Sequence, residues 1–256
     1  MSRKTDFPGA NLSKGARTAR FNPTEPQLTA RGVVFDFGGV IYDDTVWRVC
    51  LCQILAKLQV AGNHDRLFDV WRREHAVRVF RGETDFRLAF RAYFTTLGVA
   101  PALVEEVEAS CRGERRRLLE SIRPVPGVKR TLVGLRETGL AVGLLSDSEQ
   151  RGSEIRVRLA RFGLDRLFDV VVSSRDIGVT KPSPAGYQKI VERMELGPGE
   201  VVFVGHDPLE LAGAAAVGMQ TAAVNHPSNT RADAHFASIE VIPGMIRLGY
   251  PVAAAG

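Results

Sequence analysis

Cysteine is scarce in this chain: Cys50, Cys52 and Cys111 are the three in 256 residues. An odd count with no Cys-x-x-Cys pair argues against a structural zinc site, whose thiolates come in closely spaced pairs. Reduced, semi-buried thiols in a cytoplasmic protein account for them most simply. Long apolar runs are missing as well, and none is long enough to span a bilayer. The first thirty residues hold no apolar stretch between a basic start and a cleavage site, so no secretory signal is expected. There is no internal repeat, no helix-turn-helix signal and no strand pattern that interleaves aromatic and basic residues. Nucleic acid is therefore not an expected partner. What remains is an ordinary soluble composition, 45% apolar and 25% charged, with room for one large domain or a domain carrying an insertion.

The formal net charge of +5 is partly local. Arg3, Lys4, Lys14, Arg17 and Arg20 lie within residues 1–30, a stretch rich in Ser, Thr, Asn, Pro and Gly. That stretch reads as a disordered, solubilising basic extension. The charge balance also suits a pocket that attracts anions.

Against this background one run stands out, Val33-Val34-Phe35-Asp36-Phe37-Gly38-Gly39-Val40. Its apolar half reads as a buried parallel strand. Asp36 then falls where that strand ends, the edge at which open α/β sheets bind their ligands. Gly38 and Gly39 allow a sharp turn and a close backbone approach to a ligand. Further apolar runs follow at 140–145, 168–172, 201–204 and 221–224, with helical segments at 127–138, 149–162, 184–195 and 209–217 between them. Strands alternating with helices predict an α/β fold with a central parallel sheet covered on both faces. Residues 45–120 differ: helical periodicity over 46–60, 65–80, 84–97 and 102–119 predicts a helical module inserted after the first strand. The sequence Arg123-Pro124-Val125-Pro126-Gly127 closes it, its prolines stiffening the return to the core.

The strand ends carry polar groups of complementary kinds: Asp36, then Ser146 with Asp147, then Thr180-Lys181-Pro182, then Gly205-His206-Asp207 with Glu210. Phosphoryl transfer explains each type. A carboxylate can attack phosphorus and form an aspartyl-phosphate. The charge on the transferring group needs fixed donors and a cation. Ser146 offers a hydroxyl and Lys181 a point charge. Asp36, Asp207 and Glu210 offer hard oxygens for Mg²⁺.

In order and spacing these pieces resemble the haloacid dehalogenase-like hydrolase superfamily over residues 31–226. The matching motifs are the Asp36 strand end, Leu144-Leu145-Ser146, Thr180-Lys181-Pro182, and Val204-Gly205-His206-Asp207 followed by Gly213-Ala214 and Gly218-Met219. The resemblance implies a Rossmann-like three-layer core, residues 31–44 and 122–256, with the Asp36 strand central and a helical cap over 45–121 that selects substrate. It implies Asp36, Ser146 and Lys181 as catalytic residues. It places Gly38, Gly39, Ser146, Asp147 and Lys181 at the phosphate, and Asp36, Gly38, Asp207 and Glu210 at Mg²⁺. The implied activity is hydrolysis of a small phosphorylated metabolite by a cytoplasmic monomer or homodimer, away from membranes. Cap motion about 40–46 and 121–127 is expected to exclude water during attack.

The chain departs from the family pattern in three places. The phosphatases carry a second aspartate two residues after the first, where Gly38 stands here, so general acid–base help worth about two to four orders of magnitude has no obvious agent. Asp43, Asp44, His64 and His75 are possible stand-ins. His206 intervenes before Asp207, as a metal ligand, a proton shuttle or a locally bonded turn residue. Asp147 replaces a frequent asparagine, adding charge or capping the next helix. A halide leaves without a proton, so dehalogenation of a 2-haloacid is the first alternative. A protein that binds a phosphorylated ligand with little or no turnover is the second.

Overall fold

The computed structural model describes residues 28–43, 45–226 and 230–249, with the backbone alone at 110–116, 118 and 119. Residues 1–27, Asp44, residues 250–256 and the Cys111 side chain lie outside the described residues.

In chain order, β1 (Leu28–Ala30) and β2 (Gly32–Asp36) precede five helices, α1 (Thr45–Lys57), α2 (His64–Val70), α3 (Val77–Phe80), α4 (Phe86–Thr96) and α5 (Pro101–Ser121). A π-helical segment, Trp71–Ala76, joins α2 to α3. Then come α6 (Val128–Glu137), β3 (Ala141–Ser146), α7 (Gly152–Ala160), β4 (Val170–Ser173), α8 (Ser174–Ile177) and α9 (Pro184–Arg193). The chain closes with β5 (Val201–Gly205), α10 (Pro208–Ala216), β6 (Gln220–Val224), β7 (Ala234–Phe236), α11 (Ile242–Met245) and β8 (Ile246–Leu248).

Six strands form one parallel sheet in the order β4-β3-β2-β5-β6-β7. Strand β2 is buried at all five positions, which accounts for its unbroken apolar run. Its side chains alternate between faces. Val33 and Phe35 join one core with Val128, Leu132 and Ile155 of α6 and α7. Val34 joins the other with Tyr187, Ile190 and Leu211 of α9 and α10. The result is the three-layer α/β architecture the pattern predicts.

The extension read through Ala30 ends earlier than expected. Leu28 and Ala30 are buried and β1 pairs in parallel with β8, outside the main sheet. Three residues of strand do not stand out against a Ser/Thr/Pro-rich background. The strand read as 168–172 begins at Val170.

The helices of 45–121 bury their own core, built from Leu51, Leu55, Trp71, Phe90, Tyr93 and Phe94. Asn63 and Asp85 cap α2 and α4 by accepting from the amides of Arg66 and Leu88. The two connections to the sheet run side by side. Tyr42 pairs with Pro124 in an antiparallel bridge, and the Val125 amide donates to the Ile41 carbonyl at 2.9 Å. No helix among the described residues is long and apolar enough to cross a membrane.

Candidate active site

Because every strand of the main sheet is parallel, all carboxyl ends open onto one edge. Asp36 ends β2 and is in register with Leu145, so Ser146 lies one residue further along the adjacent strand. His206 and Asp207 follow β5, on the other side of β2. Lys181 comes from the loop after α8, where Gly178 ends that helix in a left-handed conformation. The Lys181–Pro182 peptide is cis.

Lys181 is the centre of the site. Its ammonium is buried, donates to Asp36, lies 2.8 Å from Glu210 Oε2 and reaches the Leu145 carbonyl at 3.4 Å. Its own amide donates to both oxygens of Asp147 at 3.2 and 3.1 Å. Two carboxyl groups thus share the ammonium, and a third holds the backbone amide of the same residue. Burial pushes the Asp36 carboxyl up, but Lys181 and His206 outweigh it and hold Asp36 below its ordinary value. Asp36 is therefore an anion at neutral pH, as a nucleophile must be. Glu210 goes the other way. Burial, with the charges of Asp36 and Asp147, pushes it up to about 8 against the pull of Lys181. Burial likewise pushes Asp147 up to about 6. Burial would lower the Lys181 ammonium, and the surrounding carboxylates instead raise it well above its ordinary value.

His206 Nδ1 lies 3.6 Å from Asp36 Oδ2. A Cβ on Gly39, whose φ is +70°, would sit 2.7 Å from the His206 ring. Gly39 thus makes room for that ring. Its amide donates to the Tyr42 carbonyl at 2.8 Å and its carbonyl accepts from Asn225 at 3.3 Å.

A cavity of about 530 Å³ opens above this edge, roofed by the helices of 45–121. Asp36, Gly38, Asp147, Lys181, His206, Asp207 and Glu210 all line it. Ser146 is buried and does not; Asp147 and Ser148 take that stretch of wall. Asp147 does not cap the next helix, since Arg151 stands at the N-cap of α7. Asp207 accepts from the amides of Leu209 and Glu210 at 2.8 and 3.3 Å, which caps α10, and its other oxygen meets Arg72 at 3.3 Å.

The stand-ins for the missing acid fare poorly. Asp43 lines the cavity, but bonds from Thr45 at the start of α1 hold its carboxyl below the ordinary value, so at neutral pH it is an anion with no proton to give. His64 meets the Val60 carbonyl at 3.3 Å, and His75 stacks on Trp71 within the helical module; neither lines the cavity. Sequence reasoning missed Arg72 as the partner of Asp207, and Tyr187, whose hydroxyl holds the Glu210 carbonyl at 2.7 Å. Neither carried a motif signal, because both act through contacts between distant elements.

For a divalent ion the donor chemistry fits. Mg²⁺ takes one or two carboxylates and keeps several waters. Asp36, Asp147 and Glu210 supply carboxyl oxygens beside the single Lys181 ammonium, with Glu210 and Asp147 pushed up chiefly by burial. Among the described residues no three His, Cys, Asp or Glu side chains converge into a ready-made cage.

Comparison with known proteins adds the family. Residues 30–218 match the haloacid dehalogenase-like hydrolases. The chain is 29% identical over 121 residues to (S)-2-haloacid dehalogenase 4A of Burkholderia cepacia, covering 46% of this chain and 52% of that protein. It is 31% identical over 113 residues to pyrophosphatase PpaX of Bacillus cereus (strain G9842), covering 44% and 51%. It thus matches about half the length of these relatives. Among solved structures, L-2-haloacid dehalogenase from Xanthobacter autotrophicus with chloropropionic acid covalently bound aligns with a TM-score of 0.59 at 21% identity, over 84% of this chain and 97% of that one. A HAD phosphatase from Thermococcus onnurineus aligns at 0.53 and 24% identity, over 82% and 94%. At these identities the structures speak for the fold alone.

Proposed function

Because the chain belongs to the haloacid dehalogenase-like hydrolases, we propose that it is a phosphatase that hydrolyses a small phosphate monoester through a transient covalent bond to Asp36. The observation that carries this reading is the Asp36–Lys181 pair: a buried anion held against a buried ammonium at the floor of a cavity. Asp36 attacks phosphorus, the P–O bond to the leaving group breaks, and the leaving oxygen departs with the electron pair and takes a proton from solvent. Water then attacks the aspartyl-phosphate, releasing inorganic phosphate and restoring the carboxylate. Lys181 holds Asp36 in place and offsets the anionic charge of the phosphoryl group. Asp147 fixes the loop that carries Lys181. The helical cap excludes water during attack.

Asp36, the Gly38 carbonyl, Asp207 and Glu210 are the groups that would hold Mg²⁺. When bound, the ion would neutralise charge on the phosphoryl oxygens. Half-buried Cys50 and Cys52 thiols support a cytoplasmic setting.

The test is hydrolysis of an aryl phosphate by the wild type and by Asp36→Asn, with and without chelator. The wild type turns over only with Mg²⁺ and the variant is inactive. Equal rates in the two proteins remove Asp36 from the mechanism.

One observation favours a second reading. Glycine at residue 38 leaves no acid for the leaving group, and a halide needs none. Halide release from 2-chloropropionate that survives a chelator would replace phosphatase by dehalogenase.

A further inference from the structure

The cavity wall opposite Asp36 is aromatic. Trp47 of α1, Phe68 of α2, Trp71 of the π-helical segment, Phe80 of α3 and Phe86 of α4 all line it. Five consecutive helical segments each contribute one ring. Four of the five, Trp47, Phe68, Phe80 and Phe86, are only half-buried. Phe90, Tyr93 and Phe94, by contrast, close the helical core completely. The four rings pack against that core on one side and leave their remaining surface on the cavity. Exposed apolar surface of this kind is unfavourable unless something apolar covers it. A cavity of about 530 Å³ falls within the usual range for small-molecule sites and far exceeds what a phosphoryl group fills.

The floor supplies a second, independent constraint. Residue 38 is glycine, and the acidic stand-in nearest the cavity, Asp43, is engaged in capping α1. A leaving group here departs without a carboxylic acid at the family position. A phenol, with a pKa near that of tyrosine at about 10, can leave as the phenolate. An aliphatic alcohol, near the roughly 15.7 of water, cannot do so readily.

The apolar wall and the glycine at residue 38 point to the same molecule. We infer that the substrate is an aryl phosphate, the phosphate monoester of a phenol whose ring system lies against Trp47, Phe80 and Phe86. This rests on the phosphatase reading and names its substrate class. In the reaction Asp36 displaces the aryl oxide from phosphorus, the aryl oxide takes its proton from solvent, and water hydrolyses the aspartyl-phosphate to phosphate and free Asp36.

Two esters and one acyl phosphate separate the two constraints in the full-length protein. 2-Naphthyl phosphate has the apolar body and the phenolic leaving group. 2-Naphthylmethyl phosphate keeps the body but leaves as an alkoxide, and acetyl phosphate keeps an easy leaving group without the body. The expected kcat for 2-naphthyl phosphate exceeds that for the naphthylmethyl ester about 100-fold. Its kcat/KM exceeds that for acetyl phosphate about tenfold, and Phe86→Leu and Trp47→Leu each narrow that second ratio severalfold. Two independent variants guard against one that misfolds. Glucose 6-phosphate or the naphthylmethyl ester turned over as efficiently as 2-naphthyl phosphate would overturn the inference. If no ester is turned over, the phosphatase reading fails, and quenching of tryptophan fluorescence by 2-naphthylphosphonate decides this one separately. Saturable quenching that glucose 6-phosphate does not reverse supports an aryl site; no quenching overturns it.

Discussion

Lys181 holds together a group of carboxylates that would otherwise repel one another. Removing one member of a buried ion pair costs about 3–5 kcal/mol, because the remaining charge stays buried. Lys181→Met should therefore lose about that much stability in denaturant unfolding, together with nearly all activity; a fully stable variant would contradict the ion-pair network. Glu210 makes a second prediction. Its proton affinity is higher in the folded chain, at about 8 against an ordinary 4.5, so the folded state binds more protons between those values. Stability is then greatest below the lower value and is lost as pH rises through about 8. The Asp36 shift acts in the opposite sense but below its ordinary value of 3.8, outside this window. In chelator, the thermal midpoint of the wild type should fall between pH 5 and 8.5, by about 2–4 °C for each kcal/mol. Glu210→Gln should flatten that slope, and parallel curves would count against the raised carboxyl.

At the scale of elements, the turn after β2 joins backbone conformation to chemistry. Gly39 is left-handed and lies against the His206 ring. Gly39→Ala should cost about 1–3 kcal/mol and lower kcat by displacing His206 from Asp36. Crystallographic comparison of the two rings checks the cause, and an unmoved ring in a slow variant would refute it. The turn was legible in the sequence as two glycines after an acid, but the approach of Gly39 to the His206 ring was not, because that partner lies 167 positions away. The five longer strands of the main sheet were legible because burial on both faces leaves an unbroken apolar run. Strands β1, β7 and β8 were not, since three residues give no period and their pairing partners are remote. The π-helical segment inside the stretch read as one helix over 65–80 escaped notice for a similar reason: one extra residue in a turn barely disturbs the apolar spacing. At the site, Asp36, Lys181 and Glu210 could be read as neighbours from strand ends. The attachment of Asp207 to Arg72 and of Asp147 to the Lys181 amide depends on rotamers that no spacing encodes.

Over the whole molecule, polar contacts join the helical module to the sheet domain. Ser174 donates to the Phe80 carbonyl at 2.9 Å, Arg175 to the Val79 carbonyl at 3.1 Å, and Arg81 to the Thr180 hydroxyl at 3.3 Å. With Arg72 on Asp207, these bonds join residues 72–81 to the catalytic edge. Such contacts are individually worth about a kcal/mol. The module should therefore lift without unfolding, as a substrate enclosed by it requires. Arg72→Ala combined with Arg81→Ala should speed amide hydrogen exchange over 71–86 while leaving β2 and β5 protected; uniform deprotection would mean that the two parts unfold together. The claim on which the account depends is the covalent bond at residue 36, and it can be observed directly. Borohydride added during turnover of an aryl phosphate reduces an acyl-phosphate to an alcohol, so peptide mass spectrometry should find homoserine at position 36 in the wild type and no modification in Asp36→Asn. Phosphate release with residue 36 unmodified, or reduction at another carboxylate, would contradict it.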